Sequence, residues 1–370
     1  MKKFYIFFFL FFINNSILAS DLNNQKTLFF TGAAGFIGSN FLEYMFNKYP
    51  EYNFIILDNL TYAGNLENIP SNIRNSKRFE FFYGSVTNQY LVDLLMKRSQ
   101  MVVHFAAESH VTNSIFEDSP FFETDVNGTR VMMRSLVRNK NNVERFVHIS
   151  TSEVYGTAEN EFMDENHPLN PRSPYAAAKA GADRLVYAYW CTYDIPALII
   201  RPFNNYGPRQ HLEKVIPAFI TNIILDKPLF IHGDGSQVRD WIHVSDTCKA
   251  IDKALHISDF KKIKNQVINI GSSKKVSIAA IANKIIKYFN LSEEYLHFVK
   301  DRPGQVECHV ANIEKAKKLL EWEPTSPFEK GLMDTIEWYK NNYEWWKRTV
   351  IIAPYLNNNF KNIIKRNICK

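Results

Sequence analysis

Short apolar runs alternate with amphipathic stretches along most of the chain. Thr27-Leu28-Phe29-Phe30 is an apolar run of strand length. Behind a glycine-rich turn, Phe41, Leu42, Met45 and Phe46 recur at helical spacing. Phe54 to Leu57 forms a second run and ends at Asp58. Further strands are predicted over Phe79–Tyr83, Met101–Ala107, Arg145–Ser150 and Ala197–Arg201. Helical patterns over Leu91–Arg98 and Gly128–Arg138 lie between them. Repeated strand–helix units predict an α/β fold, a doubly wound parallel sheet with helices on both faces. No 20–50-residue repeat is present, which excludes a solenoid. From about Pro202 onward Pro and Asn become frequent and the pattern is less regular. We therefore expect a first domain over 25–201, a smaller mixed α/β substrate-binding part over 202–350, and a tail over 351–370. Residues 236–257 are expected to return to the first domain.

The extreme N-terminus breaks the pattern. Met1-Lys2-Lys3 precedes ten apolar residues, Phe4 to Ile13, and a second short apolar run ends at Ala19-Ser20. A basic start, an apolar stretch and small residues resemble a signal peptide or anchor, so residues 1–24 are set apart from the fold. The stretch is short for a bilayer-spanning helix. No later segment is apolar enough to span a membrane, and a soluble body follows.

Composition changes little in this picture. Hydrophobic residues make up 46% and charged residues 22%, which excludes a disordered or fibrous chain. The net charge of +6 comes from scattered Lys and Arg, so no nucleic-acid partner is expected. Cys191, Cys248, Cys308 and Cys369 are far apart, with no CxxC and no zinc spacing. No metal site and no disulfide are expected.

The first strand–turn–helix carries specific chemistry. Gly32, Gly35 and Gly38 stand in Thr31-Gly32-Ala33-Ala34-Gly35-Phe36-Ile37-Gly38. Gly32 permits the tight turn, Gly35 lets backbone approach a pyrophosphate, and Gly38 lets the helix pack closely on the strand. The helix N-terminus then presents unpaired N–H groups to phosphate. Asp58 ends the next strand, where it can accept hydrogen bonds from a ribose diol and repel a 2′-phosphate. The unit is a Rossmann-type site for NAD rather than NADP.

A second constellation follows. Tyr175 and Lys179 stand four residues apart in Ser173-Pro174-Tyr175-Ala176-Ala177-Ala178-Lys179. Ser173 is a helix cap and Pro174 suits the first turn. The spacing puts phenol and ammonium on one face. An ammonium there should stabilise phenolate, moving Tyr175 down from its ordinary pKa of about 10 and making a general base for a sugar hydroxyl.

Together these motifs resemble the extended short-chain dehydrogenase/reductase family, and within it the dTDP-glucose 4,6-dehydratases. The resemblance covers residues 26 to 347. It rests also on Asp58-Asn59-Leu60-Thr61-Tyr62-Ala63-Gly64-Asn65, Ala106-Ala107-Glu108-Ser109-His110-Val111, Asn204-Asn205-Tyr206-Gly207-Pro208, Glu213-Lys214-Val215-Ile216-Pro217, Arg239-Asp240-Trp241 and Asp301-Arg302-Pro303-Gly304. It implies a nucleotide-diphosphate sugar substrate. Tyr175 would take the proton of the 4-hydroxyl as carbon 4 is oxidised by NAD, assisted by Lys179 and Thr151. Glu153 would remove the carbon 5 proton, water would leave from carbon 6, and the cofactor would be regenerated. Besides the three glycines, cofactor contacts are implied at Phe36, Ile37, Asp58, Asn59, Ala106, Thr124, Tyr175, Lys179 and Asn205. Substrate contacts are implied at His110, Thr151, Asn204, Lys214, Arg239, Asn269 and Arg302. A homodimer is implied, with the Tyr175–Lys179 helix and Gly128–Arg138 as candidate interface helices.

Two departures from the family pattern stand out. Thr151-Ser152-Glu153 replaces the usual Thr-Asp-Glu, so the acid for the leaving hydroxyl falls either to Glu153 or to Ser152 acting through water. Thr-Ser-Glu also occurs in GDP-mannose 4,6-dehydratases and UDP-glucuronate decarboxylases. The apolar N-terminus fits some decarboxylases, whereas TYAGN and AAESHV argue for a dehydratase. A nucleotide-sugar 4-epimerase and a non-catalytic NAD-binding relative are the remaining alternatives. Second, Tyr83-Gly84-Ser85-Val86 lacks the family's adenine-contacting aspartate. Cofactor supply points to the cytoplasm, with membrane contact only through an N-terminal anchor.

Overall fold

A computed structural model describes residues 25–300 and 306–349. The N-terminal segment, Arg302 and the tail lie outside them.

Seven parallel strands form the main sheet. In chain order they are β1 (Thr27–Thr31), β2 (Asn53–Asp58), β3 (Phe79–Tyr83), β4 (Met101–His104), β5 (Arg145–Ile149), β6 (Ala197–Pro202) and β10 (Val267–Ile270). Their spatial order is β10-β6-β5-β4-β1-β2-β3. The apolar runs are apolar throughout because both faces are covered. Leu28 and Phe30 pack into one core with Phe41, Leu42 and Met45. Phe29, between them, faces the other core with Val131, Met132 and Leu136. The alternation is the two-residue period of a strand applied to two buried faces.

The helices that cover these faces include α1 (Phe36–Lys48), α2 (Gln89–Lys97), α3 (Thr129–Arg138) and α4 (Pro174–Tyr193). Ser173 caps α4 as expected, its Oγ accepting from Ala176 N–H at 3.1 Å. A π-helical turn, Phe122–Gly128, runs directly into α3.

The later chain is organised differently from the expected boundaries. Helix α5 (Val215–Ile224), strand β8 (Leu229–His232) and helix α7 (Ile278–Tyr288) build a separate core with Trp241 and Phe328. Strand β9 (Val238–His243) stays in this smaller part and pairs with β7 (Asn204–Tyr206), β11 (Lys275–Ser277) and β13 (Cys308–His309). Of the stretch expected to return, only helix α6 (Val244–His256) does so. It is held to α1 by Asp252, whose carboxylate accepts from Tyr44, Tyr49 and Lys48. Strand β10 also returns and covers the edge of β6, an unpaired ladder that would otherwise lie open.

One buried ion pair joins these layers. Asp183 of α4 accepts from Arg201 of β6 at 2.8 Å through both carboxylate oxygens, and from Ser150 Oγ at 2.8 Å. Arg201 Nη1 donates to the Tyr155 hydroxyl at 2.9 Å. Asp183→Ala leaves a guanidinium buried without its counterion and is expected to cost about 3–5 kcal/mol in urea unfolding. Removal of Glu144 from its exposed pair with Lys26 is expected to cost under about 1 kcal/mol in the same measurement.

Candidate active site

The carboxyl ends of β1, β2, β4, β5 and β6 open into a cleft of about 710 Å³, closed on its other side by residues of the smaller part. This is where ligands bind in open parallel sheets. At the β1 end, Gly32 has φ +71° and a Cβ there would lie 2.6 Å from the Ala106 backbone nitrogen. A Cβ on Gly38 would lie 2.6 Å from the Gly32 carbonyl oxygen. The turn is therefore packed down to bare backbone, as a pyrophosphate cradle requires. Gly35 precedes α1 with no side-chain cap, so the first-turn N–H groups remain directed at the cleft. Gly32, Gly35, Phe36, Ile37 and Gly38 all line it. So do Asp58, Asn59, Ala106, Thr124 and Asn205 of the expected cofactor set.

Asp58 is buried and oriented by two backbone donors, Ala34 N–H and Leu60 N–H, each at 2.8 Å. A carboxylate held in this way still has acceptor capacity for a diol. Gly84, Ser85 and Val86 line the same end. Ser85 Oγ is engaged within its own loop, 2.8 Å from Thr87 Oγ1.

Deeper in the cleft stand Thr151, Glu153, Tyr175 and Lys179. Tyr175 and Lys179 are buried side chains on one face of α4. Lys179 Nζ donates to the Ile149 carbonyl at 2.9 Å. The expected lowering of the Tyr175 pKa is not found in the protein alone. Burial first, and then the charge of Asp125, push the phenol well up, against the hydrogen bond from Thr151. Burial likewise pushes Lys179 down.

Asp125, which the sequence did not single out, is buried on the π-helical turn. Its Oδ1 accepts from Glu108 N–H at 2.8 Å, while Oδ2 has no partner. Burial raises its carboxyl to about 7, opposed by the Lys179 ammonium and that N–H.

The smaller part and the β4 loop supply His110, Asn204, Lys214 and Arg239 at the cleft wall. Glu213, quoted in a motif but given no role, gathers this end. Its Oε1 accepts from the Tyr62 hydroxyl at 3.1 Å, and His110, His211 and Lys214 lie within 3.8 Å of its carboxylate. Lys214 Nζ donates to the Ser109 carbonyl at 2.6 Å.

Two expected site residues are not at the cleft wall. Asn269 lies on β10 inside the main sheet and is fully buried. It accepts from the Tyr155 hydroxyl at 2.7 Å and donates to the Met163 carbonyl at 3.0 Å, so its amide is committed to structure. Ser152 is buried behind Thr151 and Glu153, its Oγ 3.4 Å from His309 Nδ1. Arg302 falls outside the described residues.

Residues 29–335 match the family model described as GDP-mannose 4,6 dehydratase. The low-salt glycan biosynthesis protein Agl12 of Haloferax volcanii is 41% identical, over 85% of this chain and 98% of that protein. A dTDP-glucose 4,6-dehydratase of an Actinoplanes species is 36% identical, over 85% and 98%. The crystal structure of dTDP-glucose 4,6-dehydratase from Bacillus anthracis in complex with NAD superposes with a TM-score of 0.80 at 38% identity, covering 87% of this chain and 99% of that one. The chain belongs to the nucleotide-sugar 4,6-dehydratases, hydro-lyases of the extended short-chain dehydrogenase/reductase fold.

The cluster around Glu213 carries a pH signature. Burial would raise this carboxyl, but the Lys214 ammonium and the hydrogen bond from His211, with His110 beside them, hold it at about 2, well below its ordinary 4.5. A depressed carboxyl contributes stability above its unfolded pKa and loses it as pH falls toward the folded one. Glu213→Gln should therefore be less stable than the parent at neutral pH, by at most about 3 kcal/mol. The difference should shrink between pH 4.5 and about 2 when unfolding is followed across that range.

Proposed function

We propose that the protein is an NAD-dependent 4,6-dehydratase of a nucleoside-diphosphate hexose, dTDP-glucose or UDP-glucose, yielding the 4-keto-6-deoxy sugar. The observation that carries this reading is that one cleft holds a dinucleotide cradle, a Tyr175–Lys179 pair, the Glu153 carboxylate and the cations Lys214 and Arg239. Gly32, Gly35, Gly38 and Asp58 would hold NAD along the cradle, where it would supply hydride-acceptor chemistry at carbon 4 and, once reduced, hydride-donor chemistry at carbon 6. The chain's own residues do the rest. Lys214 and Arg239 hold the diphosphate. Tyr175 receives the 4-hydroxyl proton, Thr151 holds that hydroxyl in line, and Lys179 orients the cofactor ribose beside it. The ketone at carbon 4 then acidifies carbon 5, and Glu153 takes its proton. With the Ser152 hydroxyl engaged by His309, Glu153 is also the group that returns a proton to the departing 6-hydroxyl.

We place the reaction in the cytoplasm, where NAD and activated sugars are supplied. Among the described residues no helix is long and apolar enough to cross a membrane. A cleaved N-terminus on protein from its native cell would contradict the placement. We further propose a homodimer through α3 and α4, where Tyr187 and Tyr193 are exposed.

Purified protein offered dTDP-glucose, UDP-glucose, GDP-mannose and UDP-glucuronate should release water from one of the first two, read as mass loss. Loss of carbon dioxide, or an unchanged mass with an inverted carbon 4, points to a decarboxylase or epimerase instead. Tyr175→Phe should abolish both reduced cofactor and product, by a factor on the order of 10²–10⁴. Glu153→Gln should still oxidise carbon 4, so reduced cofactor should accumulate near one per site while product formation collapses. A Glu153→Gln enzyme that dehydrates at the parent rate removes Glu153 from the mechanism.

A further inference from the structure

The catalytic turn is gripped from behind by a residue of the smaller part. After β5, Thr151 leads into a single 3₁₀ turn, Ser152–Tyr155, which Gly156 terminates with φ +73°. His309 lies on β13 and is fully buried. Its Nε2 is 2.6 Å from the Gly156 carbonyl oxygen. A carbonyl only accepts, so Nε2 carries the proton. Nδ1 is then a lone pair, and the Ser152 hydroxyl, 3.4 Å away, donates to it. One imidazole therefore contacts both ends of the turn that presents Glu153. Burial pushes the His309 pKa down, with Arg239 and His167 acting in the same direction against the Glu153 carboxylate and the bond to Gly156. The ring stays neutral at neutral pH, which keeps Nδ1 an acceptor.

The same histidine is tied to the substrate-binding side. His309 pairs in register with Arg239 across the β13–β9 ladder, and Arg239 lines the cleft. Tyr175 and Lys179 sit on α4, and neither shares a hydrogen bond with His309. His309 thus backs the eliminating carboxylate's turn directly, whereas the oxidising pair meets that turn through the Asp183–Arg201–Tyr155 contacts.

We propose that His309 is a positioning residue for the elimination step, clamping the Ser152–Gly156 turn so that Glu153 is held in register with Arg239. The proposal rests on the dehydratase reading above. It gives Ser152 a definite role: the hydroxyl is the lower jaw of the clamp. Displacing the Glu153 carboxylate by about 1 Å is enough to lose on the order of 10²-fold in rate.

The test is a single-turnover measurement on the full-length enzyme with its preferred nucleotide sugar, following reduced cofactor by absorbance and product by mass. His309→Phe keeps a ring of similar size and removes both hydrogen bonds. Carbon 4 oxidation should proceed near the parent rate, dehydrated product should fall on the order of 10²-fold, and reduced cofactor should accumulate. His309→Gln can still donate to Gly156 and accept from Ser152, and should recover most of the product rate. Ser152→Ala removes one jaw only and should stall elimination in the same way, less severely. Nitrogen-15 NMR of the parent should show His309 as the neutral Nε2–H tautomer. Product formation by His309→Phe at the parent rate overturns the proposal, as does oxidation falling in step with elimination. If His309→Phe does not fold, Ser152→Ala with unaltered elimination overturns it. A parent enzyme that oxidises carbon 4 but releases no water sinks the dehydratase reading and the clamp with it. A dehydrating parent with an indifferent His309 variant sinks the clamp alone.

Discussion

The Asp183–Arg201 pair is the contact on which the site's geometry depends. Asp183 projects from the same helix as Tyr175 and Lys179, about two turns beyond the first and one beyond the second, and is anchored to β6 by Arg201 and to the end of β5 by Ser150. Arg201 passes the constraint to Tyr155 in the catalytic turn, and Tyr155 passes it to Asn269 on β10. A buried charge pair of this kind is weak evidence for net stability. Its value here is registry. It sets where α4 sits along β5, and so how far Tyr175 stands from Thr151 and Glu153.

In the proposed mechanism the two halves of the chemistry share the Asp183–Arg201 anchor and differ in what else supports them. Oxidation at carbon 4 would rely on α4 and the dinucleotide cradle, both in the part built on the main sheet. Elimination relies on Glu153, whose turn follows β5 but is backed by His309 from the smaller part. The cations proposed to hold the diphosphate are likewise divided. Lys214 leans on Ser109 in the loop after β4, whereas Arg239 stands on β9. A nucleotide sugar held in the proposed way between them would touch both parts, so its binding energy could align one with the other.

Sequence alone reaches some of this and not the rest, for physical reasons. The strand–glycine–helix–acid unit is local, so each glycine's task follows from its immediate neighbours, and Gly32 and Gly38 meet the backbone as expected. Tyr175 and Lys179 share a helix face, which spacing alone predicts. Asp183 and Arg201 are separated by a helix end, a loop and a strand, and no local pattern pairs them. His309 comes from far along the chain, so the partner of Ser152 was invisible. Asn269 was expected at the sugar but lies in a sheet, because β10 returns to close the β6 edge. The ammonium beside the phenol is legible in the sequence, whereas Asp125 and the depth of burial, which act against phenolate, are not.

The central claim is that one closed cleft oxidises carbon 4 and reduces carbon 6 of the same molecule. Substrate bearing deuterium on carbon 4 tests it most directly, with mass spectrometry locating the label in the product. The account predicts deuterium on carbon 6 of the 4-keto-6-deoxy sugar. It also predicts no crossover when labelled and unlabelled substrates, distinguished by a second isotope in the nucleotide, are turned over together. Label returned to carbon 4, or scrambled between the two substrate populations, contradicts it.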